Sequence, residues 1–386
     1  MQTSLDPEKQ KQAKQYARIR RRLWLVDTIF SALYFLAWIF FGWAISLRES
    51  LSSITTNQWL LVPLFVAVFG GILFILNLPL GYYSGFVLPH RFGQSNQTLK
   101  GWISDQLKGL AIGLPLGLIL LELLYLALRV TGNLWWLWAA GGLLVFNVLL
   151  INLAPILIMP LFNKFIPLGD EHKELADRLL KLAERAKTKV RGVFKFDMSK
   201  RTKSATAALT GLGNTRRIIL GDTLINEFST DEIETVLAHE LGHHVHRDIP
   251  VLVTFGILST TLGLYLASLG LNWAIATFGF TSPADVAALP ALGLIFGAYD
   301  LRTMPLHNAS SRWRENMADD YALQSTGKNE AFGATEVVWA VDKLISCKPV
   351  NDVTYPLFVT GLMSKVSPAV VPDAPTKLQL PFVVLT

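Results

Sequence analysis

Disulfide frameworks and cysteine-based metal clusters are closed to this chain, because its 386 residues include one cysteine, Cys347. Charge is also scarce. Asp, Glu, Lys and Arg make up 17% of the sequence, below the roughly 25% usual for a soluble domain, while 51% of it is hydrophobic. A disordered chain and a wholly soluble enzyme are both excluded. Histidine is limited to seven residues, with none after His307. The net charge of +6 could suit nucleic acid. In so apolar a chain, however, basic residues set membrane topology, and no nucleic-acid partner is expected.

Long apolar runs are abundant. About 20 mainly apolar residues cross a bilayer as a helix. Runs of that kind cover 23–47, 59–88, 109–128, 134–159, 249–271 and 286–306, and Pro63, Pro79 and Pro155 mark places to kink. The first is too long for a signal peptide and has no small-residue cleavage site. Lys and Arg crowd 1–22, 89–108 and 160–248 and nearly vanish from 48–58, 129–133 and 272–285. By the positive-inside rule, six spans then place the N-terminus in the cytoplasm. The expected fold is mainly α, a polytopic membrane protein of about six transmembrane helices with a small cytoplasmic α+β unit.

The expected divisions are a basic cytoplasmic N-terminus (1–22), a four-span membrane region (23–159) and a cytoplasmic α+β segment (160–248). A two-span hairpin (249–306), a helix (307–347) and an irregular, proline-rich tail (348–386) follow. Within the α+β segment, 170–187 has helical periodicity, 190–196 and 216–220 read as strands, and 207–212 is a possible third. Ser229 followed by Glu232 is a capping-box signal that opens one more helix.

That helix carries His239-Glu240-Leu241-Gly242-His243. Histidines at i and i+4 share a face and reach one tetrahedral metal. Glu240 sits beside them, placed to take a proton from an attacking water. Catalytic zinc takes three protein ligands, and the remaining histidines are badly placed, so the third is expected to be a carboxylate. Glu315, emerging from the sixth run, is the candidate: a hairpin of the last two runs returns it to the side of the His pair. A solvated acid on a helix face remains the alternative at this point. Asp319, one turn on, is placed to accept from a ligand imidazole.

At these residues the chain resembles the type I CAAX prenyl proteases, membrane zinc endopeptidases with a cytoplasmic metal site. The likeness covers roughly 80–327. It rests on Arg91-Phe92-Gly93, on Pro160 to Phe165, on Ser199 to Thr202, on Arg216 to Leu224, on the His pair and on Glu315-x-x-Ala318-Asp319. It implies one zinc ion per chain on His239, His243 and Glu315, with Glu240 as catalytic base and acid and Asp319 supporting a ligand. It also implies a substrate laid as an added strand along an edge strand, here Thr206, Ala207, Ala208 and Leu209. Two departures stand out. Thr206 replaces an Asn common in the family, and the family's late His-Pro motif has no counterpart, since His307 is the last histidine.

Other polar residues have plainer readings beside functional ones. Glu122, in the middle of the third run, costs about 2.5–3.5 kcal/mol to insert and is expected to line a chamber or make a buried hydrogen bond. Asn147 and Asn152 read as structural. Arg312 reads equally as a group orienting the site or substrate and as an interfacial snorkelling residue. His307 reads as a membrane-interface histidine ahead of one that approaches the zinc mouth, and Cys347 as a free thiol.

The sequence reading is therefore an integral membrane zinc endopeptidase acting at the cytoplasmic face. Its expected partners are a peptide or lipidated-peptide substrate and membrane lipid, and no oligomeric partner is indicated. Prenylation of the substrate rests on the resemblance alone. The rival readings are a quality-control protease for membrane proteins and a zinc-binding scaffold of weak activity. A transporter, suggested by Glu122 and the proline-broken runs, lacks visible inverted repeats.

Overall fold

The computed structural model describes residues 7–153, 157–211, 216–329 and 331–332. Cys347, the tail from 348 and the side chain of Asn152 lie outside the described residues. The membrane region comprises α1 (Pro7–Phe40), α2 (Trp43–Ile54), α3 (Gln58–Tyr82), α4 (Leu88–Arg91), α5 (Leu99–Val130) and α6 (Trp135–Leu153). After it come α7 (Met159–Phe162), α8 (Lys173–Arg185), α9 (Asp222–Glu227), α10 (Thr230–Val245), α11 (Asp248–Phe278) and α12 (Leu289–Thr326).

Five segments are long and apolar enough to cross a membrane: Lys11–Phe40, Gln58–Arg91, Leu99–Val130, Gly132–Leu150 and Asp248–Phe278. The run at 286–306, expected as a sixth, is not among them. It forms the first half of α12, where Asp300 and Arg302 interrupt the apolar sequence. The first half of α12 nevertheless packs antiparallel against α11. Gly263 lies against Tyr299, Gly270 against Ile295 and Phe255 against His307, all in one antiparallel register that ends where Asp248 meets Arg314.

Leu33, Phe40, Ile75 and Leu258 are exposed, as lipid-facing positions should be. The shared interior is aromatic: Tyr34, Phe35, Trp38, Phe65 and Phe69 pack together, and the Tyr34 hydroxyl donates to the Phe69 carbonyl at 2.6 Å. Gly293 admits the Phe35 ring, which would lie 2.6 Å from any added Cβ. Away from the candidate site, the buried Asp285 carboxylate accepts from Arg48, from Thr281 and from the Ala287 amide.

A four-stranded sheet forms from β1 (Phe165–Pro167), β2 (Val193–Phe196), β3 (Ala207–Thr210) and β4 (Arg217–Gly221), in the order β1-β2-β4-β3. β2 and β4 are parallel, and the two outer pairings are antiparallel. β1 was not foreseen, because three residues carry no readable alternation. The amphipathic α8 buries Leu175, Leu179 and Leu182 in a core shared with Ile218 and Leu220 of the sheet and Leu237 of α10.

Three of the segments that carry the family likeness meet at one joint between membrane helices and sheet. Ser95 and Thr202 form a β-bridge, and the Asn96 amide donates to the Arg201 carbonyl at 3.1 Å. The Arg201 guanidinium donates to Asp105 of α5 at 2.6 Å and to Asn163 at 2.8 Å. Tyr16 of the N-terminal helix packs edge-on against Phe92, 5.2 Å between centroids. The basic N-terminal turns, the 89–98 connection and the sheet therefore sit at the same end of the bundle.

Replacing Arg201 with Met removes the guanidinium from Asp105, which keeps the Gln97 amide as a donor, and from Asn163. The expected cost is about 1–3 kcal/mol, read as a lower thermal midpoint of the detergent-solubilised protein. An unchanged midpoint would mean that the joint bears no load.

Candidate metal centre

α10 begins as its sequence dictates. The Ser229 hydroxyl accepts from the Glu232 amide at 3.3 Å, and the Glu232 carboxylate accepts from the Ser229 amide at 2.8 Å, closing the capping box. Ile233, Val236, Leu237 and Leu241 face the core, which fixes the rotation of the helix and turns His239 and His243 together toward α12. Gly242 allows the approach. A Cβ there would lie 2.9 Å from the Ala318 Cα and 3.0 Å from its carbonyl oxygen. A glycine on α10 opposite a small residue on α12 lets the two helices come this close.

The crossing brings three side chains to one point. His239 Nε2 lies 3.2 Å from His243 Nε2 and 3.3 Å from Glu315 Oε2, and His243 Nε2 lies 3.7 Å from Glu315 Oε1. One ligand atom from each residue falls within 4.8 Å of the others, so the three can hold a metal ion. Each imidazole is tied down from behind: His239 Nδ1 donates to Asp319 at 2.6 Å, and His243 Nδ1 donates to Asp248 at 2.7 Å. These bonds place the protons on Nδ1 and leave the Nε2 lone pairs facing each other across 3.2 Å. Two such lone pairs beside a buried carboxylate repel unless something positive lies between them. The donor set is therefore a fitting cradle for a divalent cation of zinc type.

Burial acts to depress the His239 pKa. The hydrogen bonds to Asp319 and Glu315 and the nearby Glu240 charge outweigh it and hold the pKa at about 10. Glu240 is half-buried on the turn that carries the His pair.

The other expected residues are placed as follows. Thr206 precedes β3, and Ala207, Ala208 and Leu209 lie within it; β3 pairs with β4 alone among the described strands and packs against α10, so it is an edge strand beside the site. The Thr206 carbonyl accepts from the Gly221 amide at 2.8 Å. Arg312 is half-buried on α12, three residues before Glu315. His307 is not brought to the cluster and packs on Phe255 at 5.0 Å between ring centroids. Asn147 donates to the Leu143 carbonyl of its own helix. Neither Glu122 carboxylate oxygen has a hydrogen-bond partner, and both are shielded from solvent.

Two residues escaped the sequence reading. Asp248 supports His243, and Arg314 donates to Asp248 in turn. The only signal was an acid opening an otherwise apolar helix five residues after His243.

Comparison with known proteins places this geometry in context. Residues 1–164 match the family model of the CAAX prenyl protease N-terminal region with five membrane helices. Residues 170–355 match that of peptidase family M48. The chain is 28% identical over 341 residues to the uncharacterized metalloprotease YhfN of Bacillus subtilis, covering 87% of this chain and 79% of that protein. It is 39% identical over 204 residues to CAAX prenyl protease 1 of Saccharomyces cerevisiae, covering 51% of this chain and 44% of that protein. The crystal structure of S. mikatae Ste24p superposes with a TM-score of 0.68 at 28% identity, over 94% of this chain and 92% of that one.

Substituting Val for Gly242 should force α10 and α12 apart. Metal bound per chain, measured by mass spectrometry of the purified protein, is expected to fall toward zero, with an overpacking cost of about 1–3 kcal/mol in stability. Full metal content in that variant would show that the close crossing is dispensable.

Proposed function

Because this chain belongs to peptidase family M48 and is an integral membrane metalloprotease of the CAAX prenyl protease type, we propose that it hydrolyses extended peptides at the cytoplasmic membrane face with one zinc ion on His239, His243 and Glu315. One observation carries this reading: two Nε2 atoms and a buried carboxylate converge while both Nδ1 atoms are held by carboxylates. Bound zinc supplies Lewis acidity, which polarises a carbonyl and makes water more acidic.

The chain's own residues do the rest. Glu240 accepts the proton of the attacking water and passes it to the leaving amine. Asp319 keeps the His239 Nε2 lone pair directed inward. The free edge of β3, from Thr206 through Leu209, offers main-chain groups to an extended peptide, which suits cleavage with little regard for side chains. Arg312, on the helix turn before Glu315, is a candidate for orienting that peptide.

Cytoplasmic orientation is supported by the Lys and Arg of the N-terminal turns and of 89–108, which lie at the same end as the sheet. A prenylated C-terminal peptide is the substrate class we favour, because several similar proteins carry the name CAAX prenyl protease 1. A second reading, a zinc-holding protein of weak activity, is favoured by the absence of histidine after His307.

The test is a matched pair of quenched fluorescent peptides, farnesylated and unmodified, offered to the detergent-purified chain with zinc and then with chelator. Chelator-sensitive cutting that prefers the farnesylated peptide is the expected result. Equal cutting of both favours quality-control proteolysis, and no cutting by zinc-loaded protein favours the weak-activity reading. In the same assay Glu240→Gln should lower turnover by about 10²–10⁴-fold and retain its metal. Loss of metal from that variant would mean that Glu240 has been given the wrong role.

A further inference from the structure

The two imidazoles of the metal centre are braced unequally. The partner of His239, Asp319, is partly open to solvent, with its side chain 18% exposed. The partner of His243, Asp248, is 5% exposed and needs a counter-charge. Arg314 supplies it. Its Nη1 donates to Asp248 Oδ1 while His243 Nδ1 donates to Oδ2, so the carboxylate is held at both oxygens. Arg314 is itself buried, and its Nε has no hydrogen-bond partner. A buried guanidinium left partly unsatisfied is costly, and the ion pair with Asp248 is its charged compensation, beside a cation–π contact with Trp313 at 5.8 Å.

The placement of these residues adds to the argument. Arg314 immediately precedes Glu315, so one turn of α12 presents both a ligand and the brace of another ligand. Asp248 is the first residue of α11, and Arg247 before it adopts a left-handed conformation at φ 55° that turns the chain from α10 into α11. The Arg314–Asp248–His243 chain therefore links three helices at the metal centre.

We propose that Arg314 is a positioning residue for metal binding: through Asp248 it holds the His243 imidazole with Nε2 directed at the ligand cluster. The proposal rests on the metal assignment above. A purely structural ion pair would affect stability and metal affinity together. A positioning chain separates them.

The experiment measures zinc affinity of the full-length, detergent-purified chain by competition with a chromophoric chelator, alongside the thermal midpoint without metal. Arg314→Met is expected to weaken zinc binding about 10–100-fold, the usual effect of losing support behind a ligand. Arg314→Lys should recover part of this, because an ammonium restores the charge without the planar fork. The double variant Asp248→Leu/Arg314→Met removes both buried charges. Its midpoint should rise above that of Arg314→Met, while its zinc binding stays weak because His243 Nδ1 has lost its acceptor. If Arg314→Met does not fold, Arg314→Lys and the double variant carry the test.

Zinc affinity within twofold of wild type in Arg314→Met, or recovery of affinity together with midpoint in the double variant, overturns the proposal. Failure of the wild-type chain to bind zinc, or undiminished binding by His239→Ala, overturns the metal assignment itself and the brace with it.

Discussion

The contact between Gly242 and Ala318 is the constraint on which the rest of the centre depends. Backbone meets backbone where α10 crosses α12, with no room for a methyl group between them. From that crossing, residues on either side of Ala318 reach residues on either side of Gly242. Glu315 reaches both ligand nitrogens, Asp319 reaches the back of His239, and Arg314 reaches the carboxylate behind His243. A wider crossing would weaken all of these contacts together, since helix-borne side chains have little lateral reach. The glycine between the two histidines thus bears as directly on the centre as the histidines themselves.

The arrangement also shows how a buried polar cluster is tolerated at the edge of an apolar bundle. The imidazole nitrogens facing away from the ligand cluster each find a carboxylate, and the more deeply buried carboxylate finds a guanidinium. The same logic appears at Asp285, whose carboxylate is surrounded by one arginine and several donors. Glu122 departs from it, since its shielded oxygens accept nothing.

The two candidate histidine ligands were legible because their spacing is a helix property: His239 and His243 fall on one face whatever surrounds them. Glu315 required a fold-level argument, namely that the last two apolar runs form a hairpin; α11 and α12 pack antiparallel from Gly270–Ile295 to Asp248–Arg314. Asp248 and Arg314 stayed hidden because their contact joins residues 66 positions apart, and neither residue type is rare beside a membrane helix. Span number was harder. Asp300 and Arg302 break the apolar character of α12, so five helices are long and apolar enough to cross a membrane where six apolar runs were expected to. The joint around Arg201 was visible only as three scattered motifs, because sequence spacing does not reveal that 94–97, 163 and 199–203 lie together.

Two residues separate the end of α10 from the start of α11, and one of them is locked in a left-handed turn. A linkage this short has almost no slack. A transmembrane helix adapts to the thickness of the surrounding hydrocarbon by tilting. When α11 tilts, Asp248 at its first position moves with it, and with Asp248 moves the support behind one ligand. A single backbone turn is therefore the whole connection between a long apolar helix and the candidate metal centre.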